Sequence, residues 1–214
     1  MKKHLVVLNI CVCALILAST LSASPLLNSS GAGSTSISSL DAVVGYSFTI
    51  GITSLEASAL GLFDQDLDGF SEAHNVNIWS STGILLGSVT VPAGSLAPLQ
   101  GEFRYVSLLA PVTLVSGETY VIAANYPSQV DWFIANPLAQ ANAIFSPFAS
   151  FGVSASRLGP GFPLWGAQIL HAGPNIEFTP VPEPSLLMLT ASEILVILAF
   201  QIVRLNNQCT TANR

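Results

Sequence analysis

The chain has 214 residues, 50% of them hydrophobic and 8% charged, with a formal net charge of -6. Six Lys and Arg in all cannot build the basic face that neutralises phosphates, so a nucleic-acid-binding role is excluded. High hydrophobicity with few charges also excludes a disordered chain, and the length suits one ordinary domain with terminal appendages.

Residues 1–23 open with Met1-Lys2-Lys3-His4, continue with an apolar run from Leu5 to Ala18, and leave through Ser19, Thr20, Ser22 and Ala23. A basic start, a short apolar stretch and a small-residue exit are the parts of a secretory signal peptide, with cleavage expected between Ser22 and Ser24. An uncleaved anchor is the alternative, but the run is short against the ~20 apolar residues that a bilayer asks for. Residues 24–43 are Ser, Gly and Asn with few large apolar side chains, which predicts a flexible lead-in.

From Val44 the texture changes. Short runs rich in Val, Ile, Tyr, Phe and Thr recur, each bounded by Gly, Pro, Asn or Ser: Val44 to Ile50, Leu55 to Phe63, Val76 to Ser80, Ile84 to Val91, Phe103 to Leu109, Thr119 to Tyr126 and Asn175 to Thr179. In the run from Thr119, one face carries Tyr120, Ile122, Ala124 and Tyr126 and the other Val121, Ala123 and Asn125. Ser81-Thr82-Gly83 reads as a hairpin turn, and Pro92-Ala93-Gly94 and Ser116-Gly117-Glu118 as further turns. Between Pro127 and Gly173, strands are expected around Ile144 and from Phe151 to Ser156. Regular short strands over residues 44–180 predict an all-β domain, an antiparallel β-sandwich of jelly-roll type. Cys11, Cys13 and Cys209 all lie outside this body, so it has no disulfide framework and no cysteine zinc site.

Few residues in the body promise chemistry. Asp64-Gln65-Asp66-Leu67-Asp68-Gly69 matches the start of a calcium loop, with Glu72 at the ninth position and Asn75 where a bidentate Glu belongs. Two readings stay open: a solvated acidic turn with no cofactor, or a weak calcium site built from Asp64, Asp66, Asp68 and Glu72. His74 and His171 are the histidines of the body, and neither sits in a recognisable hydrolase or zinc motif. His74, beside the acidic turn, is expected to make a structural hydrogen bond. Trp79 and Tyr120 lie in alternating patterns that predict core packing, whereas Trp132 follows a break and is the candidate for an exposed, ligand-facing ring.

At the far end, Val181-Pro182-Glu183-Pro184-Ser185 precedes an apolar helix expected over residues 186–203, followed by a polar tail, residues 204–214. The helix is just long enough to span a membrane, and Glu193 near its middle costs about 2.5 to 3.5 kcal/mol, so insertion is marginal. This ending resembles the PEP-CTERM sorting signal of Gram-negative bacteria that make exopolysaccharide, with Arg204 alone standing where that family has an arginine cluster. The resemblance implies that Val181, Pro182, Glu183 and Pro184 are read by an exosortase-like sorting enzyme, after export machinery has delivered the chain and while its C-terminal helix holds it in the membrane. The run Leu60-Gly61-Leu62-Phe63-Asp64, Asp68-Gly69-Phe70, His74, Val76-Asn77-Ile78-Trp79, Phe103-Arg104-Tyr105-Val106 and Gly117-Glu118-Thr119-Tyr120-Val121 is also similar to a bacterial domain of unknown function found in front of such signals. That likeness implies a β-rich extracellular module without assigned catalysis. The expectation is therefore a non-enzymatic protein of the cell surface or exopolysaccharide matrix, or alternatively a carbohydrate-binding module.

Overall fold

A computed structural model describes residues 22–28, 34–37, 41–128, 130–137, 145–158, 161–167 and 169–182, together with positions 194, 196, 197 and 201. The architecture is all-β, and every strand pair is antiparallel. The strands are β1 (Ser24–Pro25), β2 (Ser34–Ile37), β3 (Ala42–Ile50), β4 (Leu55–Phe63), β5 (His74–Ser80), β6 (Leu85–Val91) and β7 (Leu99–Gln100). They continue with β8 (Phe103–Leu114), β9 (Thr119–Tyr126), β10 (Trp132–Pro137), β11 (Ala149–Leu158), β12 (Leu164–Ala167), β13 (Ile169–Ala172) and β14 (Pro174–Pro180). A five-stranded sheet has the order β1-β14-β4-β8-β7, a six-stranded sheet β12-β11-β3-β9-β5-β6, and a small sheet β13-β10-β2.

One apolar cluster joins the sheets. Tyr46, Phe48, Ile78 and Ile122 enter it from the six-stranded sheet, Leu60, Leu62, Ile176 and Phe178 from the five-stranded one, and Phe133 and Ile134 from the small one. The period of two decides which side chains enter: on β9, Tyr120, Ile122, Ala124 and Tyr126 face this core, while Val121 and Ala123 face a second cluster with Val43 and Trp79, covered by Phe162. Truncating a buried Leu or Ile in such a cluster costs about 2–5 kcal/mol, so the pattern strongly fixes the register.

Two features depart from the sequence reading. The expected lead-in over residues 24–43 contributes to the body: β1 pairs with β14, and Leu26 and Leu27 are buried in the main core. The reason is local. Asn175 uses its side chain as a substitute strand, accepting from Leu27 N–H and donating to Leu27 O at 2.9 and 3.0 Å, which satisfies backbone that a two-residue strand leaves open. Second, β8 runs on to Leu114 past Pro111. Its register against β4 shifts between Ala57 and Ala59, whose partners are Val112 and Ser107, so the residues between bulge outward and Pro111 owes no ladder hydrogen bond there.

The expected strand around Ile144 lies outside the described residues, as do residues 1–21 of the expected signal peptide, Glu183, Pro184 and Ser185. Of the C-terminal helix, Ile194, Val196, Ile197 and Gln201 are described as helical and exposed. Among the described residues, no helix is long and apolar enough to cross a membrane.

Candidate functional site

The segment from Asp64 to Ala73 joins β4 to β5, and its backbone is held by one side chain from β8. Arg104 is buried, and its Nε donates to Asp64 Oδ2 at 2.6 Å. Its two Nη atoms donate to the carbonyls of Ser95 and Ala97, each at 3.0 Å, and of Leu67 at 2.9 Å. The planar fork thus ties the acidic loop, the 95–97 segment and a central strand into one piece, a task that the point charge of a lysine could not do. Asp64 Oδ2 also accepts from Gly69 N–H at 3.1 Å, closing the turn. Leu67 sits at φ 62°, the one non-glycine residue with positive φ among those described, which is left-handed strain of about 1–2 kcal/mol held in place by these bonds.

Of the four carboxylates that the sequence grouped as a calcium set, Asp64, Asp66 and Asp68 line one cleft and Glu72 does not. Asp64 points inward and is occupied by Arg104; Asp66 and Asp68 are exposed. Glu72 belongs to a different cluster, where one of its carboxylate oxygens accepts from Ser128 N–H at 2.9 Å. The first aspartate of the calcium-loop pattern thus turns inward to Arg104, and the pattern is flanked by strands where a calcium loop of the helical type has helices.

The second cluster surrounds His74, the first residue of β5. It is fully buried, packed against Phe70 and Tyr126 with ring centroids at 5.4 and 5.1 Å. Nδ1 lies 2.7 Å from the carbonyl oxygen of Asn125 on β9, and a carbonyl can only accept, so Nδ1 carries a hydrogen. Nε2 lies 2.8 Å from Asp131 Oδ2, and Asp131 Oδ1 accepts from Ser71 N–H at 3.0 Å. Burial, and secondarily the charge of Asp131, push the Tyr126 phenol far above its ordinary range. His74 thus makes the structural hydrogen bond expected of it at Nδ1, while Nε2 faces Asp131.

Asp131 connects the two clusters, because it also lines a polar cleft of about 130 Å³ with Asp66, Asp68, Gln65 and Trp132. Trp132, at the start of β10, is 37% exposed, in contrast with Trp79, which is packed in the outer cluster. The acidic turn and the candidate aromatic, 64 positions apart in the Asp68–Trp132 pair, thus meet at one concavity. Arg104 and Asp131 are the members that sequence reasoning missed; the available signal was a lone cation between Phe103 and Tyr105 in an apolar strand. Of the sorting motif, Val181 N–H bonds to Ser54 O at 2.8 Å and Pro182 is exposed, and Glu183 and Pro184 lie outside the described residues.

No protein-family model matches this chain, and no curated protein is significantly similar to it.

Proposed function

We propose that the protein is an exported component of the bacterial cell surface or extracellular matrix, with a non-catalytic, structural or adhesive body folded as a jelly-roll-like antiparallel sandwich. Export machinery delivers it through the N-terminal signal, and an exosortase-like enzyme acts at Val181-Pro182-Glu183-Pro184 while the apolar helix over residues 186–203 rests in the membrane. The observation that most supports a non-catalytic body is the state of its ionisable side chains: His74, Asp131, Asp64 and Arg104 are consumed by one another and by backbone groups. A general base must reach the proton it abstracts, and each of these groups faces a partner within the protein instead. The exposure of Pro182 is consistent with a sorting enzyme having access to the motif. Intact mass spectrometry of the envelope fraction tests export and sorting together. The expected product starts near Ser24 and ends near Pro184; full-length protein with Met1 retained in the cytosol would end this reading.

A second reading, that the body binds carbohydrate, is favoured by one observation: Trp132, Asp66 and Asp68 line the same cleft. An exposed indole stacks on the apolar face of a sugar ring while carboxylates accept from its hydroxyls. Retention on immobilised exopolysaccharide that Trp132→Ala abolishes, with unchanged melting temperature, is the expected result.

A further inference from the structure

We propose that Glu72, His74 and Asp131 form a binding site for a divalent first-row transition-metal ion, with zinc the ion that suits them best. The ligand atoms of the three side chains all lie within 4.8 Å of one another. An ion that holds nitrogen and oxygen at about 2.0–2.2 Å sets them roughly 3.3 Å apart in a tetrahedral site, so the 2.8 Å gap between His74 Nε2 and Asp131 Oδ2 must open by about 0.5 Å while the half-buried Glu72 rotates to complete the set.

The orientation of His74 points to a ligand. Its Nδ1–H is fixed on the Asn125 carbonyl at 2.7 Å, the arrangement that orients a metal-binding imidazole and turns the Nε2 lone pair outward. That lone pair faces Asp131 Oδ2 at 2.8 Å. Two lone pairs cannot share this gap without a cation between them, which is either a second proton or a metal ion. With a proton alone, the imidazolium and the two carboxylates sum to one negative charge in a site where His74 and Asp131 are buried. A divalent ion beside a neutral imidazole brings the sum to zero.

Among the described side chains, no cation competes for the position. Arg104 and Arg157 are the strong bases of the sequence between residues 24 and 180, and Arg104 is consumed by Asp64 and three carbonyls. Asp66 and Asp68, on the cleft that Asp131 also lines, add negative potential that concentrates cations at the entrance. An imidazole donor selects against calcium and magnesium, which take oxygen ligands, and in favour of zinc and its neighbours. Glu72 Oε1 and Asp131 Oδ1 stay on Ser128 N–H and Ser71 N–H, so the second carboxylate oxygens serve the ion while the first ones hold the side chains in place. All three ligands lie in the body, so the site is independent of export and sorting.

The test uses the full chain in detergent, stripped with a chelator and titrated with zinc chloride. Saturating zinc should raise the melting temperature by about 5 °C. Replacing His74 is liable to prevent folding, so the decisive variant is Glu72→Gln, which leaves the His74–Asp131 pair intact. It should weaken zinc binding at least tenfold with an unchanged melting temperature in chelator. Binding that Glu72→Gln leaves untouched would belong to Cys209 or another histidine and would overturn the proposal. So would an equal response to calcium, or no zinc binding at all.

Discussion

Arg104 and Asp64 lie 40 residues apart in sequence and meet at 2.6 Å with both side chains shut away from water. The pair closes the loop that forms one wall of the acidic cleft, so its strength sets how firmly that wall stands. Asp64→Asn strands the guanidinium without its counter-charge and should cost about 3–5 kcal/mol in urea unfolding. Arg104→Met should be similarly costly, since Asp64 would be left with Gly69 N–H alone. The double variant should fall short of the summed single losses by about 1–3 kcal/mol. Simple additivity would show that the two side chains stabilise separate parts of the molecule.

Gly69 should be far less replaceable than Gly101. Both have positive φ, 106° and 61°, but a Cβ on Gly69 would come within 2.3 Å of the Gly94 carbonyl carbon, whereas one on Gly101 meets nothing within 4 Å. The approach of Gly69 to Gly94 is made by the backbone bridge between Phe70 and Gly94, which joins the loop to the turn after β6. Gly101→Ala should cost about 1 kcal/mol, the left-handed penalty alone. Gly69→Ala adds a backbone clash to that strain and should exceed 3 kcal/mol in the same assay, with the loop opened to proteolysis.

The strands were legible where a period of two coincided with glycine or proline boundaries. Leu55–Phe63 and Thr119–Tyr126 have the bounds that the sequence predicts, and the expected turn at Ser81-Thr82-Gly83 holds Gly83 at φ 87°. The all-β, antiparallel class follows from those runs. What escaped was non-local. Leu26 and Leu27 look like two stray apolar residues until Asn175 supplies the hydrogen bonds that dock them. Pro111 argues for a strand end until a bulge removes the need for its missing N–H. At the site, aspartates at alternate positions suggest converging ligands, and nothing nearby in sequence reveals that Arg104 claims the first of them. Asp131 reads as a loop residue because its partner lies 57 positions away on another strand.

Three buried tyrosines make a graded test of hydroxyl satisfaction. Tyr46 Oη donates to Pro174 O at 3.1 Å, whereas the hydroxyls of Tyr105 and Tyr126 are buried with no partner among the described residues. A net hydrogen bond is worth about 0.5–1.5 kcal/mol, and an unsatisfied buried hydroxyl carries a desolvation penalty of about 1–3 kcal/mol. Tyr46→Phe should therefore destabilise by about 1 kcal/mol, while Tyr126→Phe and Tyr105→Phe should be neutral or stabilising. A loss above 1 kcal/mol in Tyr126→Phe would mean that its hydroxyl has a bound partner, water included.

Alkaline pH should unfold the protein through the same three rings. Burial is the main cause holding the phenols of Tyr46, Tyr105 and Tyr126 above the ordinary value of 10.0; the charge of Glu177 adds to it at Tyr105, and that of Asp131 at Tyr126. Because the folded values are raised, the stability linked to these groups is complete below pH 10 and is lost as the pH climbs past it, when the unfolded chain sheds protons that the folded one keeps. Tyrosinate absorbance and loss of near-ultraviolet circular dichroism should rise together above pH 10, and Tyr105→Phe should shift the transition to higher pH. Glu177 follows the same sign at the acid end, where burial raises its carboxyl above 4.5, so the protonated form suits the fold and Glu177→Gln should slightly stabilise the protein at neutral pH. Tyrosinate forming near pH 10 from all three rings, with the dichroism intact, would show that water already reaches them in the folded protein.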